Sequence, residues 1–327
     1  MNFLSNLVYA SGFSKEIPDS QFIKDIENTN LLSILSKKTY LKQLYKITND
    51  FFDPPRSIHW VIHNPDKFIE ACDEWVSKKS KPYLQSTKAQ YIAPILYCLT
   101  SHRSLMEANP RLKYKWEQLR ELIVKPDDAT EVELDCGMSK KQLEANMSFD
   151  EICKIRDELP DGSMTKLLIS LYTMIPPIRS DFDNVKIFDE KPKKYDQNYL
   201  VLNKRPQLVI SQYKTANRYD SNIIDLPDEL VRQIKISLKI HPREYLFVTY
   251  SGEPYSNANS FNKWANRTIK KALNNDAFSL TMFRHIYLSR PDLDLDNLPF
   301  KDRRALGKKM GHSSFTQKTY IIKDDDK

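Results

Sequence analysis

The spacing of apolar residues is the feature that most limits what this chain can fold into. From about Phe22 to Val124, and again from Ser148 to the pair Pro176–Pro177, apolar residues recur at the three- and four-residue intervals of amphipathic helices. Between Asn184 and Tyr219 the pattern changes to short runs rich in Val, Ile, Leu and Tyr, separated by charged turns. Helical spacing then returns. The sequence therefore predicts a mostly α-helical protein with a small antiparallel β-sheet.

The first helical region predicts a compact bundle of about four helices. One lies in SKKTYLKQLYKITNDFF, and a second lies in NPDKFIEACDEWVSKK, where Asn64 is the N-cap and Pro65 takes the first helical position. Two more are predicted in STKAQYIAPILYCLTSH and in the basic segment RLKYKWEQLRELIV.

The segment that follows this bundle predicts a domain boundary. PDDATEVELDCGMSKKQLE is first acidic, then contains glycine, then turns basic, and it lacks sustained apolar periodicity, which is typical of a linker. A chain of 327 residues is also about twice the size of a typical domain. We predict an N-terminal arm and helical domain over residues 1–126, a linker over 127–145 and a second domain over 146–327.

Composition narrows the classes of function. No apolar run approaches the ~20 residues that a membrane span needs, and MNFLSNLVYASGF lacks the basic start and long apolar stretch of a secretory signal. The net charge of +7 favours a polyanionic partner. No CxxC pair is present, which argues against a zinc site or a disulfide framework and favours a reducing compartment, cytoplasm or nucleus. The four cysteines are Cys72, Cys98, Cys136 and Cys153.

Five residues of the second region stand in blocks suited to chemistry on a phosphate. They are Arg179 in PPIRSDF, Lys214 in SQYKTAN, Arg284 in LTMFRH, and His312 and Tyr320 in MGHSSFTQKTY. Guanidinium groups stay charged and offer paired planar donors, whereas lysine is a point charge with a tunable pKa. A tyrosine hydroxyl can form a covalent phosphate ester. The most specific block is the GH turn followed by a tyrosine, in which Tyr320 comes eight positions after His312. Both side chains must reach the same phosphate.

In this order the blocks resemble the catalytic domain of the tyrosine recombinases, and the preceding bundle resembles that family's core-binding domain. The resemblance covers nearly the whole chain, and the PPIRSDF block is most similar to integrases of large DNA viruses and related mobile elements. It implies an enzyme that cleaves and rejoins DNA through a 3′-phosphotyrosyl intermediate, without metal, ATP or another cofactor. It also implies a homotetramer acting on paired sites in double-stranded DNA.

The resemblance implies a role for each residue of the set. Arg179 and Arg284 would bind the non-bridging phosphate oxygens, where negative charge accumulates during in-line attack. Lys214 would protonate the departing 5′-oxygen, and His312 would hydrogen-bond a phosphate oxygen. Tyr320 would be the nucleophile, losing its proton to a base or under the influence of the cationic groups.

The second arginine block departs from the family pattern. Thr281 stands where most members carry a histidine three residues before that arginine, so the usual general base is missing. Either the base is dispensable or another group supplies it. His285 matches the arginine-histidine pair of many members, but on a helix it points about 100° away from Arg284, which indicates a structural role.

Two other classes of protein fit the same residues. A type IB topoisomerase shares the nucleophile and the cationic groups but relaxes supercoils as a monomer, and the SLYTMIPPIRSDF block and the bundle followed by a linker favour the recombinase. A recombinase-derived DNA-binding protein without catalysis is the other alternative, and Thr281 favours it.

The basic stretch from Lys301 to Lys323 surrounds the nucleophile and indicates contact with DNA phosphates.

Overall fold

The computed structural model describes residues 16–77, 85–124, 138–213, 221–295, 297–312, 317 and 320–322. The chain divides into two compact units, Met1–Ala129 and Thr130–Lys327. No helix in the described ranges combines the length and the apolar character that a membrane span requires. Most of the predicted linker, Cys136 and Lys214 lie outside the described residues.

The first unit is helical. Ser33 and Ser57 each cap a helix N-terminus, because their side chains accept hydrogen bonds from the backbone N–H of Ser36 and Trp60. The start of a helix at Pro65 is confirmed. In chain order the helices are α1 (Asp19–Asn28), α2 (Ile34–Asp50), α3 (Ile58–His63), α4 (Pro65–Ser77), α5 (Gln85–Ser101), α6 (Arg103–Ala108) and α7 (Pro110–Val124).

The four predicted helices of this unit are its long ones, α2, α4, α5 and α7, and the structure adds α1, α3 and α6. Helices α3 and α6 have six residues each, which is too short for apolar periodicity to be recognised in a sequence window. Trp116 closes the core of the bundle. It is fully buried, and its indole N–H donates to the carbonyl oxygen of Ile62 at 2.9 Å, which ties α7 to α3.

The second unit surrounds one central helix. Every residue of α10 from Lys166 to Thr173 is buried, and the helix ends before Pro176, as the sequence predicts. The elements are α8 (Lys140–Glu144), α9 (Phe149–Glu158), α10 (Met164–Thr173), β1 (Lys186–Phe188), β2 (Tyr199–Val201), β3 (Gln207–Ile210), β4 (Asn222–Asp225), α11 (Asp228–Ile240), α12 (Ala258–Ala272), α13 (Leu280–Leu288) and α14 (Phe300–Met310).

The predicted sheet forms, but the prediction that it is antiparallel is wrong in part, and β4 was not predicted. Strands β1 and β2 pair in parallel, whereas β2–β3 and β3–β4 pair antiparallel. The connection over residues 189–198 is longer than a hairpin turn and returns the chain to the same end of the sheet, which parallel pairing requires. Leu200, Leu208 and Ile224 are register partners and face the main core of the unit.

Candidate active site around Tyr320

Arg179 lies in the loop after α10, and a buried tyrosine holds that loop in place. The hydroxyl of Tyr172 donates to the carbonyl oxygen of Arg179 at 2.5 Å. The ring of Tyr172 stacks on Phe283 of α13, with 5.1 Å between ring centroids. Burial raises the pKa of Tyr172 well above its ordinary value, so the hydroxyl keeps its proton and remains a donor. The Arg179 side chain itself is half-buried.

Arg284 lies on α13 and is only 1% exposed. Its Nη1 donates to the carbonyl oxygens of Pro177 at 3.2 Å and Met310 at 2.8 Å, so one guanidinium joins the Arg179 loop to the end of α14. Its Nε and Nη2 have no partner within 3.5 Å among the described residues, and the Arg284 side chain also interacts with the side chain of Tyr320. Burial lowers the pKa of Arg284, and the nearby Tyr320 phenol acts in the opposite direction. Arginine still stays charged at neutral pH, because its ordinary pKa is so high.

The turn after α14 fixes the position of His312. Gly311 has a φ of 71°, in the left-handed region that favours glycine, and it ends the helix. The backbone N–H of His312 donates to the carbonyl oxygen of Gly307 at 3.0 Å. A Cβ at Gly307 would lie 2.9 Å from the carbonyl oxygen of His312, so the chain can return this closely only past a glycine. His312 is buried as a result.

Tyr320 packs against three of the residues that the sequence singles out. Its ring stacks on His312, with centroids 5.5 Å apart and planes 26° apart. The ring of His285 meets it edge-on at 4.7 Å between centroids. The Cζ of Arg284 lies 4.8 Å from the centre of the phenol ring. The structure thus brings Arg284, His285, His312 and Tyr320 together.

His285 also contacts the backbone of the predicted nucleophile. Its Nδ1 lies 3.2 Å from the carbonyl oxygen of Tyr320. Burial lowers the pKa of His285 to about 4, so the ring is neutral at neutral pH. A carbonyl oxygen only accepts, and Nδ1 therefore carries the proton of the neutral ring and donates it. The sequence indicated a structural role for His285 and did not indicate this contact.

The remaining predicted residues have separate positions. Arg179 lines a small cavity together with Met310 and Gly311, so it lies beside the turn that carries His312. Thr281 is exposed in the first turn of α13 and is not among the residues that pack on Tyr320. Lys214 lies outside the described residues. Tyr213, the residue before it, lines the Arg179 cavity.

Asp181 was not singled out from the sequence and lines the same cavity as Arg179. Burial raises the pKa of its carboxyl group to about 6, against the opposing effect of the Arg179 guanidinium. Its place two residues after Arg179 in PPIRSDF is the signal that could have identified it. Among the described residues, no group of three or more His, Cys, Asp or Glu side chains is arranged to hold a metal ion.

Asn198 is a buried link that the sequence did not reveal. Its Nδ2 donates to the carbonyl oxygens of Asp181 at 3.1 Å and Gln212 at 3.0 Å. Its Oδ1 accepts from the backbone N–H of Ser211 at 2.9 Å and of Gln212 at 2.7 Å. One amide therefore joins the Arg179 loop to Ser211 and Gln212, which lie between the end of β3 and Lys214. Nothing local in DQNYLV distinguishes this asparagine from a turn residue.

Helix α12 carries a basic surface that the sequence analysis did not single out. Lys263, Arg267, Lys270 and Lys271 follow one another at helical spacing along the side opposite the buried Phe261, Ala265 and Ile269. These four residues, here called the α12 basic face, line a cavity of about 590 Å³. The spacing KxxxRxxKK was the available signal, and it indicates a surface for an anionic polymer.

Comparisons with known proteins add a distant structural likeness. The crystal structure of XerA recombinase is 15% identical, covers 94% of this chain and 94% of that chain, and superposes with a TM-score of 0.42. No family model matches the sequence. No curated protein matches it either. At this distance the likeness carries no functional argument, so the function is argued from the residues around Tyr320.

The contact between His285 and Tyr320 leads to a testable expectation. His285→Phe keeps a ring but removes the donor, and we expect it to slow any reaction of Tyr320 roughly 2–10-fold, the equivalent of one hydrogen bond. His285→Asn places an amide nitrogen near the position of Nδ1 and is expected to restore most of the rate. Single-turnover reaction rates, with DNA affinity measured in parallel, distinguish the two variants.

Replacing His285 should also change how the stability of the protein depends on acid pH. The pKa of folded His285 is about 4 against an ordinary 6.5, so its contribution to stability is complete above pH ~6.5 and is lost as the pH falls towards 4. The free energy of unfolding should decline less steeply over this window in His285→Asn than in the wild type. An Asn variant as slow as the Phe variant would show that the hydrogen bond does not position Tyr320.

Proposed function

We propose that this chain is a tyrosine recombinase of the integrase type, which cleaves and rejoins DNA through a 3′-phosphotyrosyl bond at Tyr320. The observation that carries the proposal is the packing of Tyr320 against Arg284, His285 and His312. A phenol surrounded by a guanidinium and two imidazoles is suited to an attack on a phosphate diester, which needs fixed donors for developing negative charge.

The two arginines would supply the charge. In-line attack by the Tyr320 oxygen places negative charge on the non-bridging oxygens, and donors that meet those oxygens favour the transition state over the ground state. Two N–H-bearing nitrogens of Arg284 have no partner within 3.5 Å among the described residues. Arg179 is half-buried beside the His312 turn, and its loop is held by Tyr172 and by Arg284 itself. The guanidinium of Arg284 and the backbone that carries Arg179 are thus fixed by the core of the second unit.

The leaving group needs a proton, and we assign that role to Lys214. An alkoxide is a poor leaving group at neutral pH, so a general acid at the 5′-oxygen lowers the barrier. The amide of Asn198 fixes the end of β3 against the Arg179 loop, which supports a role for the residues that follow β3. Rejoining runs the same steps in reverse: the 5′-hydroxyl attacks, Tyr320 leaves, and Lys214 accepts the proton.

The proton of Tyr320 would pass to solvent water during attack, without the usual histidine. Thr281 is exposed and takes no part in the packing around the phenol. The positive charge of Arg284 lies 4.8 Å from the ring centre, beside the place where negative charge would develop during attack. This arrangement supports the version of the mechanism in which a general base is dispensable.

We extend the proposal to the DNA and the assembly. The basic stretch from Lys301 to Lys323, of which part lies outside the described residues, would contact the phosphates of double-stranded DNA. The first unit would act as the core-binding domain. A homotetramer on paired sites and an origin in a virus or mobile element complete the proposal, and both rest on the sequence resemblance alone.

A nicked suicide substrate that carries the ends of the protein's own element tests the proposal. We expect an adduct that resists denaturing detergent, and we expect it to form in EDTA because arginines supply the charge in this mechanism. Relaxation of a supercoiled plasmid by a monomer, with no joining of two sites, would favour the type IB topoisomerase. DNA binding without any adduct would favour the non-catalytic DNA-binding protein.

A further inference from the structure

A cleft of about 740 Å³ lies between the start of α12 and the segment 248–255. This volume is within the usual range of ligand pockets. The cleft shares no lining residue with the contacts of Tyr320, and the cleavage chemistry proposed above makes no use of it. Among the described residues that line the cleft, none is acidic.

One wall of the cleft is aromatic. Tyr255 and Trp264 lie with ring centroids 5.6 Å apart and planes 36° apart. Trp264 rests on two buried phenylalanines, Phe247 at 5.4 Å and Phe261 at 5.7 Å, so the wall is backed by the core. Tyr250 stands fully exposed at the mouth of the cleft. A rigid aromatic wall with one exposed ring is suited to stacking on a flat, unsaturated ring.

The rim of the cleft is cationic and continues beyond it. Lys263 and Arg267 line the cleft one helical turn apart, and both side chains are exposed. The same two residues also line the adjacent cavity, whose other cations are Lys270 and Lys271. A ligand that places one anionic group on Lys263 or Arg267 can therefore continue along the α12 basic face. Flat rings with repeating anionic groups are the chemistry of an unpaired nucleic-acid strand.

We propose that this cleft binds an unpaired DNA strand, with a base stacked against Tyr250 and Trp264 and its phosphate on Lys263 and Arg267. The following phosphates would lie along Lys270 and Lys271. Duplex DNA cannot use the aromatic wall, because its bases are already stacked on each other. The site therefore discriminates single strands from duplex, and it does so without Tyr320.

Binding of a labelled single-stranded oligothymidylate of about ten nucleotides to the full chain, measured by fluorescence anisotropy, tests the stacking. We expect Tyr250→Ala to raise the Kd for this strand roughly 5–100-fold, the effect of one lost base-aromatic stack. Its Kd for a duplex of equal length should stay within about two-fold, since duplex binding rests on phosphate contacts. Tyr45→Ala removes another exposed tyrosine, from the first unit, and is the matched control.

Trp264 provides a direct optical readout, because it is the only tryptophan of the second unit. The oligothymidylate should quench the fluorescence of the wild type and quench Trp264→Phe much less. Arg267→Gln should reduce the slope of log K against log salt for the strand by about 0.7, the loss of one phosphate contact.

Three results would overturn the inference. The first is that Tyr250→Ala binds the strand as tightly as the wild type does, or no more weakly than Tyr45→Ala does. Another is equal weakening of strand and duplex binding, which would make the cleft a contact for duplex phosphates. The last is that thymidine monophosphate quenches Trp264 at the same concentration that the strand requires. That result would identify a pocket for a free nucleotide.

Discussion

Tyr320→Phe is expected to abolish the covalent protein–DNA adduct completely while changing the affinity for DNA by no more than about two-fold. The substitution removes only the attacking oxygen. The ring that packs against His312, His285 and Arg284 is kept, so the surroundings of the site are unchanged. The measurement is adduct formation on the suicide substrate, followed by mapping of the modified peptide.

Tyr287→Phe is the matched control, because Tyr287 is a buried tyrosine on α13, three residues after Arg284. It should form the adduct at the wild-type rate. Adduct that persists in Tyr320→Phe, or a modified peptide that contains Tyr287 or Tyr250, would assign the nucleophile to another residue and refute the proposed function.

Replacing either Arg179 or Arg284 by alanine should lower the cleavage rate about 10²–10³-fold, which is the usual effect of removing one oxyanion donor. Arg179→Ala is expected to do so with little change in stability, because its side chain is half-buried and the loop is held through its backbone carbonyl. Arg284→Ala should also destabilise the fold. It leaves the carbonyl oxygens of Pro177 and Met310 without their donor, at ~1–3 kcal/mol for each buried group.

Arg284→Lys separates the two roles of this residue. An ammonium group can still donate to the two carbonyl oxygens, but it lacks the planar pair of donors that matches phosphate oxygens. We expect the thermal midpoint to recover towards the wild type while cleavage stays slow. Cleavage rates under single-turnover conditions and thermal unfolding check this, and recovery of both together would limit Arg284 to a structural role.

Local pattern predicted much of the fold. Helices α9 and α10 and the stop at Pro176 follow from apolar spacing and from the missing N–H of proline. The parallel pairing of β1 with β2 does not, because it depends on the path of residues 189–198; the bridge between Lys186 and Tyr245 at the other edge of β1 was not predicted either. A sequence window contains no information on either.

The site shows the same division. The order of the blocks around Arg284, His312 and Tyr320 is visible in the sequence, and the structure places these three residues together. The contact of His285 with Tyr320 could not be predicted, since a helical wheel gives the direction of a side chain and not what lies there. The link through Asn198 joins residues 13 to 17 positions apart, and no local signature marks such a contact.

The stacking of Tyr320 on Arg284 sets an order of events for the proposed reaction. Arg284 is 1% exposed and its Cζ lies 4.8 Å from the centre of the Tyr320 ring, so in the proposed reaction the ring would have to move for a phosphate to reach Nε and Nη2. The proposed nucleophile would thus also cover the cation that must bind the target phosphate. Arrival of the phosphate and release of the nucleophile would be one exchange, in which the DNA displaces the ring.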